Sequence, residues 1–301
     1  APEGDPADYV PGPQPETSLD DADLTVQLPQ PYTPTYSDPS QPGNEYRCFY
    51  IDHGRTEDFF VTGLSPMVDA DPIVHHIVVG TENKGDVPSD YDPAVGVECM
   101  NGGIGGDYML GGWAPGALAT ELPDGVGLKV RADHYIVIQM HYFDSRPGEA
   151  IADQTGYAFT TADTVEKEAY MAPFGPTGFV IPPGEVYSDS ASQAIPVPAT
   201  VYGTFPHMHV LGSAYRMWVE HPDDSETCAA ASESYDFHNQ ITYMFQEPIL
   251  LDPGDKVHVE CTWDNTKDND DRIHEEPRTT TYGERTDEEM CWAFSIVGLG
   301  H

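Results

Sequence analysis

The sequence predicts an all-β protein built from antiparallel sandwiches. Three observations carry that expectation. Gly and Pro number 28 each in 301 residues, enough to punctuate many short elements. Val, Thr, Tyr and Phe are abundant, and few stretches place apolar residues at helical spacing. Apolar runs of about four to eight residues end at Pro-Gly or Asp-Gly turns, as in "GFVIPPGE" and "PILLDPGDKVHVECTW". The length allows two ordinary domains or one large β domain.

Along the chain, residues 1–44 are acidic and Pro-rich with little apolar periodicity. They read as an arm lying on the surface with low β content. "EYRCFYIDH" opens the first ordered strand, and a first β-sandwich domain is expected over 45–152. It holds His75 and His76 in "PIVHHIVVG" and His141 in "HYIVIQMHYF". Between them lie two Gly-rich stretches, "NGGIGGDYMLGGWAPG" and "PDGVG". "GGIGG" lacks a following Lys-Ser/Thr and a helix, so it reads as a loop needing φ > 0, not a phosphate cradle. The polar segment 145–167 leads into a second sandwich domain, expected over 153–301. Its strands include "ATVYGTF" and "YRMWVEH", and a long charged loop, "WDNTKDNDDRIHEEPRTTTYGERTDEE", precedes Met290.

The formal net charge is −38, from 51 acids against 13 bases. A phosphate backbone or an anionic membrane surface would be repelled, so neither is an expected partner. The acids are spread along the whole chain, which favours solubility or adaptation to high salt over attraction of a cationic substrate or electron donor. No stretch reaches the roughly 18–20 apolar residues of a membrane span. The opening "APEGDPADYVPGPQPE" reads as a processed mature end, and a secreted or periplasmic location is expected. No feature calls for an oligomer, so a monomer is expected.

Of the five cysteines, none forms a CxxC, which excludes zinc ribbons and thioredoxin-like motifs. Cys48 and Cys99 flank the His75-His76 pair, Cys261 ends a strand-like run and Cys291 follows Met290. The pairs Cys48–Cys99 and Cys261–Cys291 are therefore expected, with Cys228 left over, although spacing alone leaves the connectivity open.

Histidine in apolar, β-branched surroundings needs a partner. Adjacent histidines on a strand point to opposite faces, so His75 and His76 can share one ion only where the strand ends, twists or bulges. His207-Met208-His209 puts two rings on one face, about 7 Å apart along the chain, which suits two ligands on one metal. Met208 then points away. Imidazole suits zinc, copper, nickel and iron, and a thioether at Met290 shifts the preference towards copper, above all Cu(I). His53, His134, His221, His238, His258, His274 and His301 carry no such pattern and read as non-ligands. His238, among aromatic neighbours in "YDFHNQITY", is the first of these to reconsider.

Taken in order, these motifs resemble the copper type II, ascorbate-dependent monooxygenases, the family of peptidylglycine α-hydroxylating monooxygenase and dopamine β-monooxygenase. The family's order is His-His, a His in a Gln-x-His-Tyr strand, His-x-His followed shortly by Gly, then Met-Cys. Here these are His75-His76, "QMHY" with His141, "HMHVLG" with His207, His209 and Gly212, and "DEEMC" with Met290. "GGWAPG" around Trp113 and "IPPGE" over 181–185 look like family turns, and Cys48, Cys99, Cys261 and Cys291 fall where two family disulfides would place them. The resemblance spans about residues 45–301 and marks a divergent, bacterial-type member.

The resemblance implies two jelly-roll-like sandwich domains with one copper each, facing across a cleft. It implies that His75, His76 and His141 bind an electron-transfer copper, and that His207, His209 and Met290 bind the copper that activates O2. Ascorbate or another one-electron reductant would supply electrons, and a substrate carbon would be hydroxylated. Gln139, two residues before His141 on the same strand face, would line the cleft or support a ligand. The peptide-hydroxylating member holds its substrate's carboxylate with an Arg before its His-x-His and an Asn and a Tyr after its Met-Cys. The matching positions here are Phe205, Trp292 and Phe294. An uncompensated carboxylate there would cost several kcal/mol, so an apolar or aromatic small-molecule substrate is expected and peptide amidation is not. Two other readings stand beside this one. A copper carrier on the same scaffold would share the ligands without the oxygenase activity. A zinc hydrolase would need a Glu general base that no His-Glu-x-x-His motif supplies.

Overall fold

A computed structural model of the protein describes residues 18–38, 43–99, 108–144 and 150–301. The first part of the expected arm, the "GGIGG" stretch and the start of the polar 145–167 segment lie outside the described residues. The described residues form strands, turns and irregular segments, with no helix among them. None is therefore a helix long and apolar enough to cross a membrane.

The architecture is two sandwiches that share one sheet. A nine-stranded sheet runs in the order Leu24–Gln27, Gly156–Ala162, Phe59–Met67, Val126–Val130, Lys167–Phe174, Trp292–Leu299, Ala199–His207, Tyr243–Leu251, with Thr120–Glu121 also on Phe59–Met67. Its pairings are antiparallel except where Val126–Val130 meets Lys167–Phe174 in parallel, which is where the two halves of the chain join edge to edge. A five-stranded sheet (Val97–Glu98, Asn44–Ile51, His134–Phe143, Val74–Asn83, Tyr108–Trp113) packs on the first half. A four-stranded sheet (Val186–Ala194, Lys256–Asp264, Gly212–Glu220, Glu226–Ser232) packs on the second.

Period-2 patterning explains both cores, because alternate side chains of each strand face inward. In the first, Phe49, Ile77, Ile136 and Ile138 of the five-stranded sheet meet Phe59, Val61, Leu128 and Phe159 of the shared sheet. In the second, Met217, Val257, Val259 and Trp263 meet Val201, Leu251 and Ala293. The arm is more than a surface tail. Leu24–Gln27 adds an edge strand against Gly156–Ala162, and Val26, Leu28 and Tyr32 are buried. The short alternation of "LTVQL" is its only sequence signal, flanked by Pro and Asp that mask it.

Both expected disulfides are present. Cys48–Cys99 secures the short Val97–Glu98 strand to its neighbour, and Cys261–Cys291 ties the four-stranded sheet to the shared sheet beside Met290. Cys228 is free and exposed. Thiol titration of the unreduced protein in denaturant should therefore find one thiol. Reduction should lower stability by about 2–4 kcal/mol per bridge; a count of five thiols before reduction would contradict this pairing.

Candidate metal centre

The first cluster solves the problem that adjacent histidines pose. Val74–Asn83 pairs with His134–Phe143, and the register slips between Val74, opposite Tyr142, and His76, opposite His141. The slip is a bulge at His75. It turns His75 back to the face that His76 already occupies. The three Nδ1 atoms converge: His75–His76 3.3 Å, His75–His141 3.1 Å and His76–His141 3.1 Å. Three imidazoles cannot satisfy one another through three nitrogens aimed at a single point, whereas one cation satisfies all three lone pairs. His141 is oriented for this. Its Nε2–H donates to Asn44 Oδ1 at 2.8 Å, which leaves Nδ1 as the lone-pair nitrogen. Tyr46 stacks on the same ring at 4.1 Å, with planes 8° apart. Burial, then the neighbouring imidazoles, hold His76 and His141 well below the usual histidine range. Burial pushes His75 down to about 4.

The second cluster forms where a strand of the shared sheet ends. His207 is the last residue of Ala199–His207 and lies opposite Trp292. His209 is in the following loop, and Met208 between them is fully buried in the second core. The two rings lie 5.1 Å apart. His207 Nδ1–H donates to Gln240 Oε1 at 2.8 Å, and His209 Nδ1–H donates to the Glu288 carbonyl at 3.1 Å. Both rings therefore offer Nε2, the opposite choice from the first cluster. Burial lowers both imidazoles, His209 to about 3.

Glu289 fixes this loop. Its buried carboxylate accepts the backbone N–H groups of His209, Leu211 and Met290 at 3.0, 2.7 and 3.3 Å, and Trp263 Nε1–H at 2.9 Å. Burial pushes its carboxyl up to about 8, against the pull of those four donors. One carboxylate thus sets the backbone on both sides of the second cluster.

His76 of the first cluster and both histidines of the second line one cavity of about 310 Å³, with the rings of His76 and His207 6.3 Å apart across it. Met290 lines this cavity together with His76, His207 and His209. So do Gln139, Phe205, Trp292 and Phe294. Phe205 and Phe294 lie opposite each other on adjacent strands, and each ring is within 6.2 Å of His207. These rings are half-buried against open space, not packed into a core. The Gln139 amide donates to the Cys99 carbonyl at 3.1 Å. The seven histidines read as non-ligands stand outside both clusters; His238 comes nearest but is exposed beside Asp236. Sequence reasoning missed Asn44, Tyr46, Gln240 and Glu289. Glu289 alone carried a signal, as an acid inside the apolar-flanked "EEMCWAF".

Fold and donors together describe a β-sandwich protein with two candidate metal centres on one cavity. A profile of the copper type II ascorbate-dependent monooxygenase C-terminal domain matches residues 184–296. The chain is 24% identical over 249 residues to DBH-like monooxygenase protein 2 of Mus musculus, covering 74% of this chain and 37% of that protein. It is 27% identical over 261 residues to peptidyl-glycine alpha-amidating monooxygenase A of Xenopus laevis, covering 82% and 26%. It is 29% identical over 217 residues to peptidyl-glycine alpha-amidating monooxygenase of Mus musculus, covering 68% and 21%. The chain thus spans well under half the length of these relatives. The chain is thus similar to the copper type II ascorbate-dependent monooxygenases, through that C-terminal domain over 184–296 and through these relatives at 24–29% identity.

A metal replaces the proton on an imidazole, so a depressed histidine pKa moves proton competition to lower pH. Copper retention at the buried histidines should stay flat from neutral pH to about 5 and fall as pH approaches 4, where His75 charges. A release midpoint near 6.5, the ordinary imidazole value, would contradict this. Replacing Glu289 with Ala strands three backbone N–H groups and the Trp263 indole. It should cost about 3 kcal/mol or more in urea unfolding and loosen the second cluster; an unchanged midpoint would show that the carboxylate is not the brace.

Proposed function

We propose that this chain is a copper-dependent monooxygenase that hydroxylates an unactivated C–H bond of an apolar or aromatic small molecule. The observation that carries the reading is one aromatic-walled cavity with convergent imidazoles on one side and His207, His209 and Met290 on the other. The donor sets fit copper. The first offers three neutral nitrogens, and the second offers two nitrogens and a thioether, a soft ligand that favours Cu(I). When bound, copper at the two sets supplies the one-electron steps of O2 reduction and C–H hydroxylation, with ascorbate or another reductant replenishing the electrons.

The chain's own residues hold and shape that chemistry. Asn44, Gln240 and the Glu288 carbonyl fix which nitrogen each ring offers. Three protein ligands per set leave a position open for a small molecule. Phe205, Trp292 and Phe294 bind the substrate's apolar body and keep water from the reacting carbon. Among the described residues no lysine or arginine lines the cavity, so none of them supplies a cation to neutralise a peptide's terminal carboxylate. This supports a reading against peptide amidation, although two of the relatives carry that name. We read the chain as two copper-holding domains with jelly-roll connectivity, the first reaching past the expected boundary at 152 to include Gly156–Ala162, which packs in its core. The disulfides favour an oxidising, extracellular or periplasmic setting. The partners are the substrate, O2 and a reductant, taken up by a monomer.

Met290→Ala should remove oxygenation by more than the roughly 10–100-fold that loss of an outer partner costs. The three-histidine set should keep its copper; unchanged substrate-dependent O2 uptake would remove Met290 from the chemistry. Phe205→Arg should place a cation in the cavity and tighten carboxylate-bearing ligands relative to their neutral analogues. An identical ligand profile would mean that Phe205 does not face the substrate.

A further inference from the structure

The loop between Glu226–Ser232 and Tyr243–Leu251 belongs to the second half, yet it reaches both clusters and the first half. Its Tyr235 hydroxyl accepts from Met208 N–H at 2.9 Å and donates to the Met208 carbonyl at 3.0 Å, which pins it to the middle of His-x-His. Between the exposed Asp236 and His238, Phe237 turns inward and is only 6% exposed. Its ring lies 5.2 Å from the His75 ring and 6.2 Å from the His209 ring, so one side chain touches a histidine of each cluster.

Gln240 makes three bonds in three directions. Its side-chain oxygen accepts from His207, its amide nitrogen donates to the Phe237 carbonyl at 2.8 Å, and its backbone N–H donates to Pro115 of the first half at 3.3 Å. Beside that last contact the halves approach so closely that a Cβ on Gly116 would come within 2.4 Å of Asn239 Oδ1, and Gly116 adopts φ +91°.

We infer that Phe237 is a positioning residue that sets the spacing between the two metal sets, and that Gln240 holds it there. The inference rests on the proposed reading that both sets bind copper. Two cations across this gap repel each other strongly in a low-dielectric interior, so attraction between the sites does not hold them close. The separation has to be imposed by packing. A planar, two-torsion ring wedged between His75 and His209 imposes it at little entropic cost.

The test loads the wild type, Phe237→Ala, Phe237→Leu and Gln240→Ala with Cu(II), then measures copper per chain and the electron paramagnetic resonance spectrum. The wild type and Phe237→Leu should bind two equivalents and show the same dipolar coupling between the ions. Phe237→Ala and Gln240→Ala should keep both ions and lose that coupling. Two ions with wild-type coupling in Phe237→Ala would overturn this inference and leave the proposed function standing. If Phe237→Ala does not fold, unchanged coupling in Gln240→Ala overturns it equally. Fewer than two ions in the wild type would overturn the proposed function, and this inference with it.

Discussion

Everything about the centre follows from burying imidazoles in neutral form. A charged ring in this interior would be costly, so each ring stays neutral with one N–H and one lone pair. The N–H must find an acceptor, and for His141, His207 and His209 the fold supplies Asn44, Gln240 and the Glu288 carbonyl. Once those nitrogens are occupied, His141 turns its remaining lone pair towards His75 and His76, while His207 and His209 keep theirs on the cavity side. The outer hydrogen bonds therefore choose the donor atoms, Nδ1 in the first cluster and Nε2 in the second. The rings lie where strands bulge or end, the two places where a sheet can aim side chains off its regular alternation.

The second cluster needs more support because its side chains come from separate segments. His207 ends a strand, His209 sits in a loop, and Met290 arrives from a segment about 80 residues further on. Glu289 and the Cys261–Cys291 bridge join these pieces at one point, the first through four accepted hydrogen bonds and the second covalently. A buried carboxyl group is tolerated only when its oxygens are hydrogen-bonded this fully. The shared nine-stranded sheet adds a longer brace. Through its single parallel contact, Val126–Val130 beside Lys167–Phe174, it holds the half that carries the first cluster against the half that carries the second.

The strand class was plain in the sequence because short alternating runs closed by Pro-Gly turns have few other readings. The histidines singled out by order are the ones that the fold gathers, since His-x-His already places two rings on one strand face. His75-His76 was different: period-2 alternation puts the rings on opposite faces, and the bulge that reunites them depends on pairing with a strand more than 50 residues away. Asn44 and Gln240 were hidden for the same reason. A polar residue's hydrogen-bond partner is a tertiary fact, and no local pattern marks an Asn as the orienter of a distant ring. The arm strand at Leu24–Gln27 was lost among prolines, and its burial is visible only once Gly156–Ala162 lies beside it.

The central claim is that five imidazoles and one thioether are divided between two copper ions. The most direct measurement is X-ray absorption at the copper edge on reduced, fully loaded protein of known copper content. The account predicts two ions per chain, nitrogen scattering from His75, His76, His141, His207 and His209, and one sulfur from Met290 shared over the pair. A single ion per chain, or two ions with no sulfur scatterer, would contradict it.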